Sequence, residues 1–257
     1  MQPSSYSQVQ TTKLIYLNQA GFLLQSIAGT TIGVDLYLTD CVERFDGFKR
    51  LSPKVFRPHE LDLDFVIATH WHLDHFDIDA MPILMSNRRT RLICAEDCKE
   101  HVRDLHLDED RVTYINEGDT VQCKDITVHA VFCDHGTGAP LAVGLVIEAD
   151  GYKIYIAGDT CLRLDKAEEI ASYGPFDVMI APINGAYGNL SEIQNVELCA
   201  YHRPKLSIPC HFWTFAEHHG DPGVWMDEMK KRLPGQLYRI MAPGEQIVLQ
   251  EVIDKQR

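Results

Sequence analysis

The chain has 257 residues and a formal net charge of −13, with ordinary apolar (45%) and charged (24%) fractions. That length is enough to bury a full core as one domain. The acidic balance excludes a nucleic-acid backbone or an anionic membrane as main partner, because both demand a positive surface. A small anionic substrate stays open, since bound metal ions bring their own positive charge.

The polar start, Met1-Gln2-Pro3-Ser4-Ser5-Tyr6, lacks the apolar core of a signal peptide. No run approaches membrane-spanning length. Residues 1–12 read as a polar lead-in and 13–257 as a single domain. The eight cysteines include no C-x-x-C pair, so the expectation is buried free thiols in a reducing cytoplasm.

Strand-like runs cover 13–17, 22–27 and 31–35, with Gly21 and Gly29 as turn punctuation. Residues 41–63 carry charge, Pro53 and Pro58 without a clear period, and read as a long loop or small insertion. The apolar run Phe65-Val66-Ile67-Ala68 reads as a buried strand. A helix over 79–87 has Asp79 as N-cap and Pro82 in its first turn. A strand at 91–95, a helix at 96–105 and strands at 112–115, 120–124 and 126–132 follow. Strands at 141–148 and 153–157 flank Ala149-Asp150-Gly151, a hairpin turn. Then come a helix at 165–172, a strand at 178–181, a helix at 192–202, a strand at 206–209, a helix at 224–232 and two short closing strands. Strands followed by strand–helix pairs, repeated once more loosely, fit two sheets packed face to face with helices outside each.

The segment Thr69-His70-Trp71-His72-Leu73-Asp74-His75 directly follows the buried strand. Imidazole and carboxylate are the usual ligands of a borderline divalent metal. In extended backbone His70 and His72 share a face and grip one ion, whereas Asp74 and His75 point elsewhere once the chain turns. Three other strand ends carry similar groups: His135 in Phe132-Cys133-Asp134-His135-Gly136, Asp159 in Gly158-Asp159-Thr160, and His211 in Ile208-Pro209-Cys210-His211. Together they offer five histidines and two aspartates, enough for two ions with an open position for water, as in a catalytic site.

This order of motifs resembles the metallo-β-lactamase-fold hydrolases, from about Leu14 onward. Within them the chain is most similar to the L-ascorbate-6-phosphate lactonase group, through Leu17-Asn18-Gln19-Ala20-Gly21-Phe22, Val34-Asp35-Leu36-Tyr37-Leu38-Thr39-Asp40, Ala181-Pro182-Ile183-Asn184-Gly185-Ala186-Tyr187-Gly188 and Ile208-Pro209-Cys210-His211. The resemblance implies an α/β, four-layer αββα sandwich of two mixed sheets. It implies that His70, His72 and His135 bind one ion, that Asp74, His75 and His211 bind the other, and that Asp159 bridges both. Asp35 would support the site by hydrogen bonds that orient ligand imidazoles. Zinc suits the histidine-rich set, the resemblance allows manganese, and a homo-oligomer is compatible with it.

Such ions would lower the pKa of a water to near neutral, giving a hydroxide nucleophile for the carbonyl of a lactone or ester, foremost a phosphorylated sugar lactone. With one ion bound, Asp74 would orient or deprotonate that water; with two it is mainly a ligand. Asp74 and Asp159 are thus the candidate catalytic residues. Phosphodiester hydrolysis and non-catalytic metal-dependent binding are the competing readings.

Competitors exist for each ligand. His129 lies within a strand, unlike His135. His218 and His219 lie in a polar stretch and read as solvated or part of a lid. His59, His101, His106 and His202 read as surface residues, and Cys133, Cys161 and Cys210 as packing groups. Asn184, Tyr187 and Asn189 on a Gly-rich loop either touch substrate or shape the turn. Trp71 and Trp213 either wall a pocket or pack inside. Arg44, Lys49, Arg50 and Arg57 either hold a substrate phosphate or sit solvated.

Overall fold

A computed structural model describes residues 11–254, so most of the expected lead-in lies outside the described residues. The elements are β1 (Lys13–Asn18), β2 (Gly21–Gln25), β3 (Thr31–Val34), α1 (Cys41–Asp46), β4 (Phe65–Ala68), α2 (Met81–Ser86), β5 (Arg91–Ala95), α3 (Lys99–Asp104) and β6 (Val112–Ile115). Next come β7 (Thr120–Cys123), β8 (Ile126–Val131), β9 (Gly144–Ala149), β10 (Tyr152–Ile156), α4 (Ala167–Ala171) and β11 (Val178–Pro182). The chain closes with α5 (Glu192–His202), β12 (Leu206–Cys210), α6 (Pro222–Arg232), β13 (Gln246–Val248) and α7 (Leu249–Val252).

Two mixed sheets form, in the orders β13-β1-β2-β3-β4-β5-β6 and β12-β11-β10-β9-β8-β7. Each is antiparallel through its hairpins and becomes parallel at β3–β4 and at β10–β11. Side chains alternate along the second sheet, as period-two backbone requires. Val128, Ala130, Leu145, Ile147, Ile154, Ile156 and Ile180 join the first sheet in one core. Val131, Val146, Tyr155, Met179 and Ala181 face the other way, toward Val196 and Cys199 of α5 and Trp225 of α6. Burial on both faces explains why β11 reads as a continuous apolar run. The chain is thus the expected αββα sandwich.

Three local expectations change. The 41–63 stretch is not simply loop, because α1 forms and Gly47 closes it in the left-handed region, its N–H donating to Glu43 O. Asp79 is not the cap of α2, which has Ala80 at that position and no side-chain cap; Asp77 takes the Asp79 and Ala80 N–H groups instead. The tail holds β13 and α7 rather than two strands, while Tyr238 makes only an isolated bridge to Ser207. All eight cysteines are free, with Cys133 and Cys161 half-buried and the rest buried.

Candidate metal centre

The candidate ligands converge from loops at one end of both sheets, where open α/β sheets collect ligands. After β4 the chain turns tightly: the His75 and Phe76 N–H groups both donate to His72 O (2.9 and 2.7 Å). Thr69 ties this turn to both sheets. Its N–H and Oγ1 donate to Asp35 after β3 (2.8 and 2.7 Å), and its carbonyl accepts from Val143 N before β9 (3.0 Å). His135 follows β8. Asp159 follows β10 beyond Gly158, whose φ is +69° and where a Cβ would sit 2.9 Å from Val143 O. His211 follows β12, and its N–H donates to Gln19 O in the β1–β2 turn (2.7 Å).

Seven side-chain atoms then face one another. His72 Nδ1 lies 2.9 Å from His70 Nε2 and 3.1 Å from His135 Nε2. His211 Nε2 lies 3.3 Å from Asp74 Oδ2, and His75 Nε2 lies 3.7 Å from it. Asp159 Oδ2 sits between the groups, 3.1 Å from His211, 3.4 Å from His75 and 3.8 Å from His135. A tetrahedral zinc with bonds near 2.0–2.1 Å has ligand–ligand edges of about 3.3 Å, in the middle of these spacings. The donor chemistry fits as well: three imidazole nitrogens converge at His72 with too few protons to satisfy one another, and neither ring nitrogen of buried His75 is in hydrogen-bonding geometry with a partner. Buried polar atoms in that state call for a cation.

Protonation divides the cluster. Burial pushes His70 and His135 below the ordinary imidazole range and His72 down to about 4. Burial would also lower His75 and His211, but the Asp159 and Asp74 carboxylates outweigh it, lifting His75 well up and His211 to about 9. Burial would raise Asp74 and Asp159, yet His75 and His211 hold both well below the usual carboxylate range. Without metal, protons on His75 and His211 thus balance the buried carboxylates.

Other predicted residues find definite places. Asp35 is fully buried and its Oδ2 lies 2.9 Å from His75 Nδ1. His129 stands apart, near Thr120 and Glu148. Asn189 donates to Asp159 Oδ2 (2.8 Å). Asn184 is buried within its own loop, its amide 3.4 Å from Ala186 O. Trp213, 61% exposed, lines a separate shallow depression with Leu51 and His219. His218 is half-buried rather than freely solvated, its ring stacking on His211 with centroids 4.9 Å apart. His101 packs against Trp71 and Phe76, and His202 sits between Tyr155 and Phe176, so neither is an ordinary surface histidine.

Sequence reasoning missed Gln19. Its amide nitrogen lies 2.7 Å from Asp74 Oδ2, 3.0 Å from His211 Nε2 and 3.0 Å from His218 Nδ1. Gln19, Asp35, Tyr187, His211 and Trp213 all adopt positive φ. Such backbone strain in residues other than glycine clusters at functional sites. Asp77 was missed too: its buried carboxylate accepts from Leu38 N, Thr39 N, Thr39 Oγ1, Asp79 N and Ala80 N. It ties the lead into α1 to the metal loop.

Above the cluster opens a cavity of about 680 Å³, lined by His72, Asp74, His135, Asp159 and His211 at its base and by residues of α1, the metal loop and Tyr187. None of Arg44, Lys49, Arg50 or Arg57 lines it. Arg44 pairs with Asp79, and Arg50 donates to Tyr37 O and Thr39 O. No helix among the described residues is long and apolar enough to cross a membrane.

The chain is 29% identical over 236 residues to a UPF0173 metal-dependent hydrolase of Hyperthermus butylicus, covering 87% of this chain and 97% of that one. It is 30% identical over 197 residues to a UPF0173 metal-dependent hydrolase of Staphylococcus haemolyticus, covering 73% and 82%. Among solved structures, a metallo hydrolase of Ignicoccus hospitalis superposes with a TM-score of 0.70 at 22% identity, covering 92% of this chain and 97% of that one. An isothiocyanate hydrolase from Delia radicum gut bacteria gives 0.72 at 17% identity, covering 92% and 98%. These likenesses show the shared fold. A profile described as Beta-lactamase superfamily domain matches residues 36–212. With that match and the Staphylococcus relative, the chain belongs to the beta-lactamase superfamily and, within it, to the UPF0173 metal-dependent hydrolases.

Proposed function

We propose that the chain hydrolyses a small lactone or carboxylic ester at a two-ion centre. His70, His72 and His135 would hold one ion and Asp74, His75 and His211 the other, with Asp159 placed to serve both. The observation that carries this reading is Asp159 Oδ2, within 3.1–3.8 Å of ring nitrogens from both groups at the base of an open cavity. Divalent ions bound there supply Lewis acidity and lower the pKa of a water.

The chain's own residues do the positioning. Asp35 faces His75 Nδ1 and thereby directs Nε2 toward the carboxylates. Gln19 holds Asp74, and Asn189 holds Asp159, so neither carboxylate swings when substrate arrives. His72, Asp74 and His211 line the cavity base where the acyl carbon must sit. In the reaction the acyl carbon–oxygen bond breaks and the water oxygen joins the acyl carbon. Its protons are shared between the new carboxyl group and the released hydroxyl. The phosphorylated-sugar form of this reading draws on the sequence resemblance alone, since no lysine or arginine among the described residues lines the cavity.

The test is turnover of the metal-reconstituted chain on neutral lactones and aryl esters beside bis(p-nitrophenyl) phosphate. Lactone or ester turnover that disappears on chelation supports the reading. Turnover of the phosphodiester alone overturns it in favour of a phosphodiesterase. No turnover of any substrate with metal bound overturns it in favour of a binding protein.

A further inference from the structure

We propose that the cavity selects neutral substrates carrying an apolar chain or ring and rejects phosphorylated ones; this inference rests on the hydrolase reading above. Its walls are Val42 and Phe45 of α1, Phe48 after it, and Trp71, Leu73 and Ile78 of the metal loop. Phe48 anchors the apolar side, with its ring centroid 6.2 Å from both Phe215 and Tyr187 and 5.9 Å from His218. Among the described residues the lining contains no lysine or arginine, and its one charged group outside the metal cluster is Asp46, on the last turn of α1.

Charge and polarity therefore agree. A phosphate entering this cavity loses hydration, meets no cation on the walls and passes the Asp46 carboxylate, so it gains nothing before the metal cluster. An alkyl or aryl group instead replaces water against aromatic and aliphatic surface, as in most small-molecule sites. Partial desolvation at the cavity mouth and the Asp74 charge both raise the pKa of exposed Asp46, which places it within electrostatic reach of the cluster.

The α1 wall is fixed to the centre rather than free. Cys41 Sγ donates to Leu73 O (3.5 Å), and Asp77 binds the Leu38 and Thr39 N–H groups just before the helix (2.9 and 2.7 Å). Arg50 stacks on Tyr37 at 3.9 Å behind it. A wall held at that many points keeps its shape whether substrate is present or not, so selection acts on the free substrate.

The experiment compares kcat/KM of the metal-reconstituted full chain for γ-butyrolactone, γ-nonalactone and 6-phosphogluconolactone. Each methylene buried gives about fourfold, so three buried carbons of the pentyl chain favour γ-nonalactone over γ-butyrolactone by about sixtyfold. Phe48→Ala should shrink that ratio by at least about fivefold. Asp46→Lys, an exposed change, should raise the relative rate on the phosphorylated lactone. Equal rates on the two neutral lactones, or preference for the phosphorylated one, overturns the proposal. A second arm needs no turnover: the same protein is titrated with 2-octanone, acetone and hexyl phosphate and followed by tryptophan fluorescence. Tighter binding of 2-octanone than of the other two supports the apolar cavity, and equal or weaker binding overturns it. If neither lactones nor aryl esters turn over while 2-octanone binds, the hydrolase reading falls and the cavity inference stands.

Discussion

Replacing Asp35 with asparagine tests how the centre is held. Asp35 Oδ1 accepts from Thr69 N, while Oδ2 accepts from Thr69 Oγ1 and lies 2.9 Å from His75 Nδ1. In Asp35→Asn the amide oxygen stays with Thr69 N, because the opposite flip puts two donors face to face. The amide NH₂ then donates to His75 Nδ1 and drives the imidazole proton to Nε2, the atom 3.4 Å from Asp159. A protonated Nε2 cannot bind metal. Groups that orient ligand histidines are worth about 10- to 100-fold in metal affinity, which is about 1.4–2.7 kcal/mol. The assay is competition with a chromogenic chelator for zinc and for manganese at neutral pH, with circular dichroism to verify folding. Thr69→Ala, which removes one hydroxyl donor but leaves the His75 tautomer alone, should lose less. A folded Asp35→Asn protein binding metal within about twofold of the wild type would refute the tautomer argument.

Asp159→Ala removes the carboxylate shared by both groups, and metal analysis of the purified protein should show loss of metal together with loss of turnover; retention of both would sink the bridging assignment. Metal affinity should rise with pH. His211, lifted to about 9, and His75 hold protons in the metal-free protein at neutral pH and must lose them to bind. The dependence therefore runs at up to about a hundredfold per pH unit, two protons released, and becomes shallower above about pH 9 as His211 gives up its proton; chelator competition from pH 6 to 10 checks it, and a flat profile contradicts the protonation assigned here. Asp77→Ala leaves five donors without their acceptor and should cost about 3–5 kcal/mol, lowering the melting temperature by on the order of 10 °C. A change below a few degrees in thermal unfolding would mean that water replaces the carboxylate.

What the sequence discloses and what it hides separate along a physical line. Groups that must sit at strand ends are legible, because a two-sided apolar run such as Val178–Pro182 announces a central strand and its end announces the site edge. His70, His135, Asp159 and His211 were found that way, and the fold brings all four within reach of one another. Gln19 was hidden because its importance lies in a contact across 192 residues of chain, with His211, and an uncharged amide carries no local signature. The left-handed conformations of Gln19, Asp35 and His211 were equally silent, since no glycine marks them; the surrounding hydrogen bonds impose them. Helix α1 was hidden for a related reason. Six residues without a side-chain cap are too short to be stable alone. The helix stands because Asp77, thirty-odd residues later, holds its approach. That dependence has a consequence for specificity. The wall carrying Val42, Phe45 and Asp46 is set by the metal loop rather than by its own sequence, so changes within 41–48 can alter what the cavity accepts while the ligand cluster beneath stays as it is.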